Sequence, residues 1–192
     1  MYNTVSKHSE IMGMDMSKLK WVKTIILYGV VVFYSLLLLK ILFLSRVSFS
    51  ELFVGVRTAF ESVNLIPFSS IGGYIFGDAE GVGRFAFGNI IGNIVIFVPL
   101  GAFLPLFKKD KRVLVNFLII SGTSLLVELI QGLLAIGTFD IDDLILNSLG
   151  GLVGILAYKG LATIFKDDKK VSTVIEILPV ILYLLFYIQM RF

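Results

Sequence analysis

Five stretches of the chain are apolar for long enough to matter in a bilayer, whose hydrocarbon core takes roughly 20 helical residues to cross. They run from Val22 to Leu44, Phe87 to Phe107, Val113 to Ile136, Leu144 to Phe165 and Val174 to Ile188. The last is the shortest and carries Pro179, so a helix lying in the interface is its alternative. Between the first two stretches, Phe49, Leu52, Phe53, Val56, Phe60 and Val63 recur at helical spacing, with Glu51, Arg57 and Glu61 as the polar complement and Ser48 or Ser50 as cap. This pattern predicts an amphipathic helix lying on the outer leaflet. Asn64–Phe68 breaks it, and Gly72, Gly73, Gly77, Gly81 and Gly83 predict a turn-rich loop up to the second span. The fold class is therefore all-α: a polytopic membrane helix bundle with about five transmembrane helices plus one interfacial amphipathic helix in the first outer loop. Residues 1–21 read as a tail and 22–192 as a single membrane domain. The first span is too long for a signal-peptide core, and no small-residue cleavage site follows it, which makes it an uncleaved anchor.

Composition strengthens this reading. Of 192 residues, 57% are hydrophobic and 16% charged, with a mean hydropathy of +0.93. A soluble enzyme, a disordered tail and, with no cysteine, a disulfide scaffold are excluded. A net charge of +3 with no basic and aromatic cluster on one element argues for anionic lipid rather than nucleic acid as the partner of the lysines. The basic residues also set an orientation. Lys7, Lys18, Lys20 and Lys23, then Lys108, Lys109, Lys111 and Arg112, then Lys159, Lys166, Lys169 and Lys170 fall on alternate sides of the path. The loops between them carry few bases. Five spans with a cytoplasmic N-terminus and an extracytoplasmic C-terminus satisfy every loop.

Polar groups inside the spans narrow the chemistry, because a charge at the centre of a membrane helix costs on the order of 2.5–3.5 kcal/mol on insertion scales. In that orientation Asn89 and Asn93 share a face in the outer third of the second span. Glu128 lies about 22 Å up a 30 Å core, with Gln131 on the same face. Asp140, Asp142 and Asp143 fill the next loop, and Asn147 opens the fourth span. Asp140, Asp143 and Asn147 fit one stripe if the helix begins near Asp140, and Gly150, Gly151 and Gly154 then allow close helix approach. Together these residues predict a polar pocket opening to the outer face, with the aspartates at its rim. Two structural readings stand beside it. The amides bond neighbouring helices at roughly 0.6 kcal/mol each, and Asp140 caps a helix. Pro99 and Pro105 read as a kink and an end signal. His8, the only histidine, lies in the tail, so no histidine-based metal site or triad exists.

The residues resemble the VanZ-like family, whose name comes from a teicoplanin-resistance accessory protein. The resemblance covers about residues 46–155. It rests on Arg46 after the first span, Asn64–Phe68, then Asn93, Phe97, Pro99 and Gly101, then Glu128 and Gln131, and the run from Phe139 to Gly151. Many relatives carry an arginine shortly before that run, where this chain has Gly137 and Thr138. Arg46, Arg57 and Arg84 are the arginines available in its place. The resemblance implies a multi-pass protein of the bacterial cell membrane linked to glycopeptide tolerance.

Two mechanisms follow. In the preferred, non-catalytic one, the pocket binds a lipid or wall-polymer head group. Arg46, Arg57 and Arg84 pair with its phosphate, Asn64, Asn93, Gln131 and Asn147 bond its hydroxyls, Glu128, Asp140 and Asp143 complete the binding set, and no cofactor is needed. In the alternative, a membrane enzyme acts on a lipid-linked phosphate. Asp140 and Asp143, with Asp142 and Asn147, then supply hard oxygen ligands for Mg²⁺, while Glu128 and Asp143 are the catalytic candidates, Glu128 as general base. A transporter is disfavoured by the lack of a repeat and of a polar track through the inner half of the spans.

Overall fold

The computed structural model describes residues 21–22, 24–44, 63–76, 82–108 and 110–189. The elements are α1 (Thr24–Phe43), β1 (Val63–Asn64), α2 (Ser69–Phe76), α3 (Val82–Lys108), α4 (Val113–Leu133), β2 (Phe139–Asp140), α5 (Ile141–Phe165) and α6 (Asp168–Gln189). The end of α1 overlaps a π-helical segment, Lys40–Leu44. Two units emerge, residues 1–36 and 37–192, with the division inside α1. Among the described residues four helices, α1, α3, α4 and α5, are long and apolar enough to cross a membrane, so the all-α bundle is observed.

Several boundaries differ from the expected ones. The glycine-bearing loop contains a helix, α2, and α3 starts at Val82, ahead of Phe87. Val63, expected to close the amphipathic helix, is instead the first residue of β1, and the rest of that expected helix lies outside the described residues. Pro105 lies inside α3 and does not end it, and Pro99 lies in the same helix. Each proline removes one backbone donor, and both are buried against protein, where a membrane helix tolerates the loss. The fifth stretch forms a 22-residue helix, α6, that runs on through Pro179. It is about 33 Å long and is separated from α5 by two residues, the first of them Lys166 in a left-handed C-cap conformation.

In the second unit α5 packs along α3 and α4, and α6 lies on α3 and α5. Small residues set the closest approach. A Cβ on Gly150 would lie 2.0 Å from the Ile94 carbonyl oxygen, one on Gly154 2.1 Å from that of Val98, and one on Gly101 2.0 Å from that of Gly151. The Cα hydrogens of these glycines therefore face backbone carbonyls of the other helix, the arrangement of weak Cα–H···O bonds at close helix crossings. Gly151 makes room for the Ile120 side chain of α4.

The burial pattern is the reverse of a soluble bundle. On α4, Leu114, Leu118, Leu126, Ile130 and Leu133 are exposed, whereas Asn116, Ser124, Glu128 and Gln131 are buried. Hydrocarbon receives the large apolar side chains at no cost, and polar groups must find partners inside.

The glycine contacts predict a sharp contrast. Gly150→Ala and Gly154→Ala should each destabilise the bundle by about 1–3 kcal/mol, because the added methyl meets backbone that cannot move aside. Gly122→Ala, with nothing within 4 Å of its Cβ position, should be neutral or stabilising by up to about 1 kcal/mol. Thermal unfolding of the three variants in detergent checks the order.

Candidate functional site

The site is built where α4 ends and α5 begins. After Leu133 the chain leaves the helix through Leu134 and Ala135. The Ala135 N–H donates to the Gly132 carbonyl and the Ile136 N–H to that of Gln131, with Ala135 at φ 49°. This is a Schellman closure with alanine where glycine is usual. Asp140 then caps α5. Its backbone is extended, and its carboxylate accepts the Asp142 N–H at 2.9 Å. The short parallel pairing of β1 with β2 sets Asn64 beside Asp140. There the Asn64 amide donates to Asp140 at 3.1 Å and to the Ser70 hydroxyl at 2.9 Å, and Ser70 donates to the other Asp140 oxygen.

Asp142 reaches across to α2. Its two oxygens accept the N–H of Phe68 and, at 3.1 Å, that of Ile71. A carboxylate from α5 thereby caps a helix some 70 residues earlier, satisfying donors that α2 cannot satisfy itself. Phe68, at φ 65°, is held in a left-handed conformation that a bulky side chain rarely adopts.

Deeper in the bundle, Glu128 is 1% exposed, and its Oε2 accepts the Asp140 N–H at 3.1 Å. Asn93 of α3 donates to Asp143. One turn further along α5, buried Asn147 donates to the Ser124 hydroxyl at 3.0 Å. Gln131 donates to the Leu42 carbonyl at 2.8 Å, inside the π-helical turn of α1. The Asn147 Oδ1 and Gln131 Oε1 atoms are buried and accept no hydrogen bond. The sites expected on α3, α4 and α5 are thus gathered at one end of the second unit.

The expected stripe is modified. Asp143 and Asn147 share a face, but Asp140 is the cap and not part of the helix, and the buried aspartate is Asp142. Asn89 is exposed and takes no part. Arg46 and Arg57 lie outside the described residues, and Arg84 falls in the first turn of α3. Among the described residues no three His, Cys, Asp or Glu side chains converge on a metal position. The oxygens of Asp140 and Asp142 are taken by N–H and O–H donors of the chain, so a cation there would have to displace the two caps.

Sequence reasoning missed a second buried amide at the other end of α4. Asn116 is fully buried, donates to the Asp110 carbonyl at 2.7 Å, and leaves its Oδ1 without a donor. Beside it the Lys111 ammonium lies 5.9 Å from the centre of the Tyr158 ring. Arg112 grips Asp110 bidentately, Nε donating to Oδ1 and Nη2 to Oδ2, and this hydrogen bonding, aided by the Arg112 N–H, holds the Asp110 carboxyl down to about 2. Its missed signal was position: Asn116, Ser124, Glu128 and Gln131 follow one another at helical spacing along one face.

An apolar-surfaced helical bundle with a buried seam of amides and one carboxylate, capped at one end by an aspartate turn, defines a class: a multi-pass membrane protein with a polar site at the end of its helices. The VanZ/LLP1 family model matches residues 31–166, and the chain belongs to that family. It is 34% identical over 125 residues, 65% of this chain and 69% of the relative, to Protein VanZ of Enterococcus faecium. No solved structure matches the chain.

Loss of the remote cap should loosen the loop before α2. Asp142→Ala leaves the Phe68 and Ile71 N–H groups without their acceptor, at about 1–3 kcal/mol. Hydrogen exchange over residues 68–71 should then accelerate roughly ten- to hundredfold, while the middle of α4 stays protected. Unchanged exchange at 68–71 would show that the carboxylate does not hold this turn.

Proposed function

We propose that this protein contributes to glycopeptide tolerance of the teicoplanin type by holding a lipid or wall-polymer head group in the polar site at the α4–α5 turn. The observation that carries the reading is the pair of buried acceptors, Asn147 Oδ1 and Gln131 Oε1, which have no donor. A buried acceptor left unsatisfied costs about 1–3 kcal/mol. A hydroxyl-rich head group supplies the donors these two oxygens lack, whereas a bare phosphate, itself an acceptor, does not. Asn93, Asp143 and Glu128 border the same region and bond further hydroxyls. Any phosphate of the ligand falls to the arginines Arg46, Arg57 and Arg84.

In this reading the aspartate turn faces outward, the N-terminus is cytoplasmic, and α6 makes a fifth crossing that leaves the C-terminus outside. Family membership supports the link to glycopeptide tolerance, and the alternation of basic loops supports the orientation. The protein acts as a binder. The caps made by Asp140 and Asp142 favour this reading over a Mg²⁺-dependent enzyme, which would need those oxygens as ligands.

The test compares Asn147→Ala, Gln131→Ala and Glu128→Ala with the unaltered chain in a susceptible host at matched membrane abundance. Teicoplanin susceptibility should rise in Asn147→Ala and Glu128→Ala at least to the level of cells lacking the protein, and part-way in Gln131→Ala. Susceptibility unchanged in all three would overturn the reading. Loss of function with labelled lipid-linked substrate turned over only in the presence of Mg²⁺ would replace it with the enzyme.

A further inference from the structure

The turn between β1 and α2 presents a run of apolar side chains to the outside. Val63, Leu65, Ile66, Pro67 and Phe68 are all exposed, Ile66 and Phe68 at 69% and 62%. In a loop free to fold inward these side chains would be covered, yet here the backbone is fixed so that they are not. Asn64 accepts the Ile66 N–H at 3.2 Å, the Ser69 N–H donates to the Ile66 carbonyl, and the Gly72 N–H to that of Phe68. Asp142 takes the Phe68 N–H and so supports its left-handed conformation. A strained residue persists where its surroundings over-determine it, and here hydrogen bonds from three segments serve to keep the turn displayed.

The position of the turn says what covers it. Asn64 pairs with Asp140, the residue that caps α5, so the turn lies level with the start of a membrane-crossing helix. From Val63 to Phe76 the sequence holds no Asp, Glu, Lys or Arg. The neighbouring end of α4 also presents apolar side chains, Ile130, Leu133 and Leu134, so the turn lies at the same end as the apolar outer faces of the spans. A protein partner is usually met by a mixed apolar and polar surface, whereas the side chains exposed from Leu65 to Phe68 are all apolar. The geometry points to Leu65–Phe68 as a rigid apolar wedge seated in the lipid leaflet at the α4–α5 end of the bundle, within the acyl-chain boundary. Because Asp140 and Asp142 hold the wedge, its insertion fixes the depth of the polar site relative to the lipid head groups. The inference does not depend on which ligand the site takes, or on whether it takes one.

Fluorescence tests it directly, since Trp21 is the single tryptophan. In a Trp21→Phe background of the full chain, Ile66→Trp and, separately, Phe68→Trp are placed in phosphatidylcholine–phosphatidylglycerol vesicles. Ile66→Trp is the safer variant, because its backbone conformation is not strained. Expected is blue-shifted emission, strongly quenched by lipids brominated near the top of the acyl chain and little affected by aqueous iodide. Emission at the wavelength of tryptophan in water, quenched by iodide, would overturn the proposal, as would quenching by neither agent, which would mean that protein covers the turn. Drug susceptibility of the Asn147→Ala and Glu128→Ala variants separates this result from the head-group reading. A wedge that is inserted while the Asn147 and Glu128 variants remain fully functional leaves the proposal standing and removes only the ligand.

Discussion

The structure depends on one constraint: in hydrocarbon, a polar group must be partnered by protein. The inward and outward faces of the helices in the second unit follow from it. Leucines and isoleucines of α4 turn outward because lipid receives them as readily as a protein core, and Asn116, Ser124, Glu128 and Gln131 turn inward because nothing outside can bond them. With no hydrophobic difference between lipid and protein to drive the helices together, close contact must come from elsewhere. Gly101, Gly150 and Gly154 provide it by letting α3 and α5 meet backbone to backbone.

That close contact sets the place of the site. With α3 and α5 locked at the glycines, Asn93 reaches Asp143, and with Ile120 seated over Gly151, Ser124 reaches Asn147 and Glu128 reaches the Asp140 backbone. The aspartates then extend the order outward: Asp140 starts α5 and gathers Asn64 and Ser70, while Asp142 starts α2. Acids that look in the sequence like a ligand set act first as caps, and at this end of the bundle the amide oxygens of Asn147 and Gln131 are left without donors.

Much of this was legible in the sequence, for reasons of cost. The burial of Glu128, Gln131 and Asn147 follows from what a polar group costs in lipid, and depth could be counted at 1.5 Å per residue. The glycines at 150, 151 and 154 announced a close crossing, and Asp140 as cap was one of the two readings open. What was not legible is non-local. No spacing rule tells that Asp142 caps a helix 70 residues away, or that Ser70 and Asn64 come to Asp140. The helix α2 was hidden because its eight residues, two of them glycine, are too few to show a period. Asn89 gave the opposite error: it shares the face of Asn93 but lies one turn nearer the helix start, beyond the partners that hold its neighbour. Pro105 was read as an end because proline breaks helices in water, whereas within a bundle the helix continues.

The polar site and the displayed turn both require the aspartate turn to be joined to the residue 63–64 segment, and the absence of cysteine from the sequence makes that directly measurable. Val63 and Phe139 are register partners and neither contributes a side chain to the polar site. A Val63→Cys, Phe139→Cys double variant in native membranes should cross-link intramolecularly under mild oxidation, whereas Val63→Cys paired with Leu114→Cys should not. Failure of the first pair to cross-link, or equal cross-linking in both, would contradict the arrangement from which the site and its displayed turn are derived.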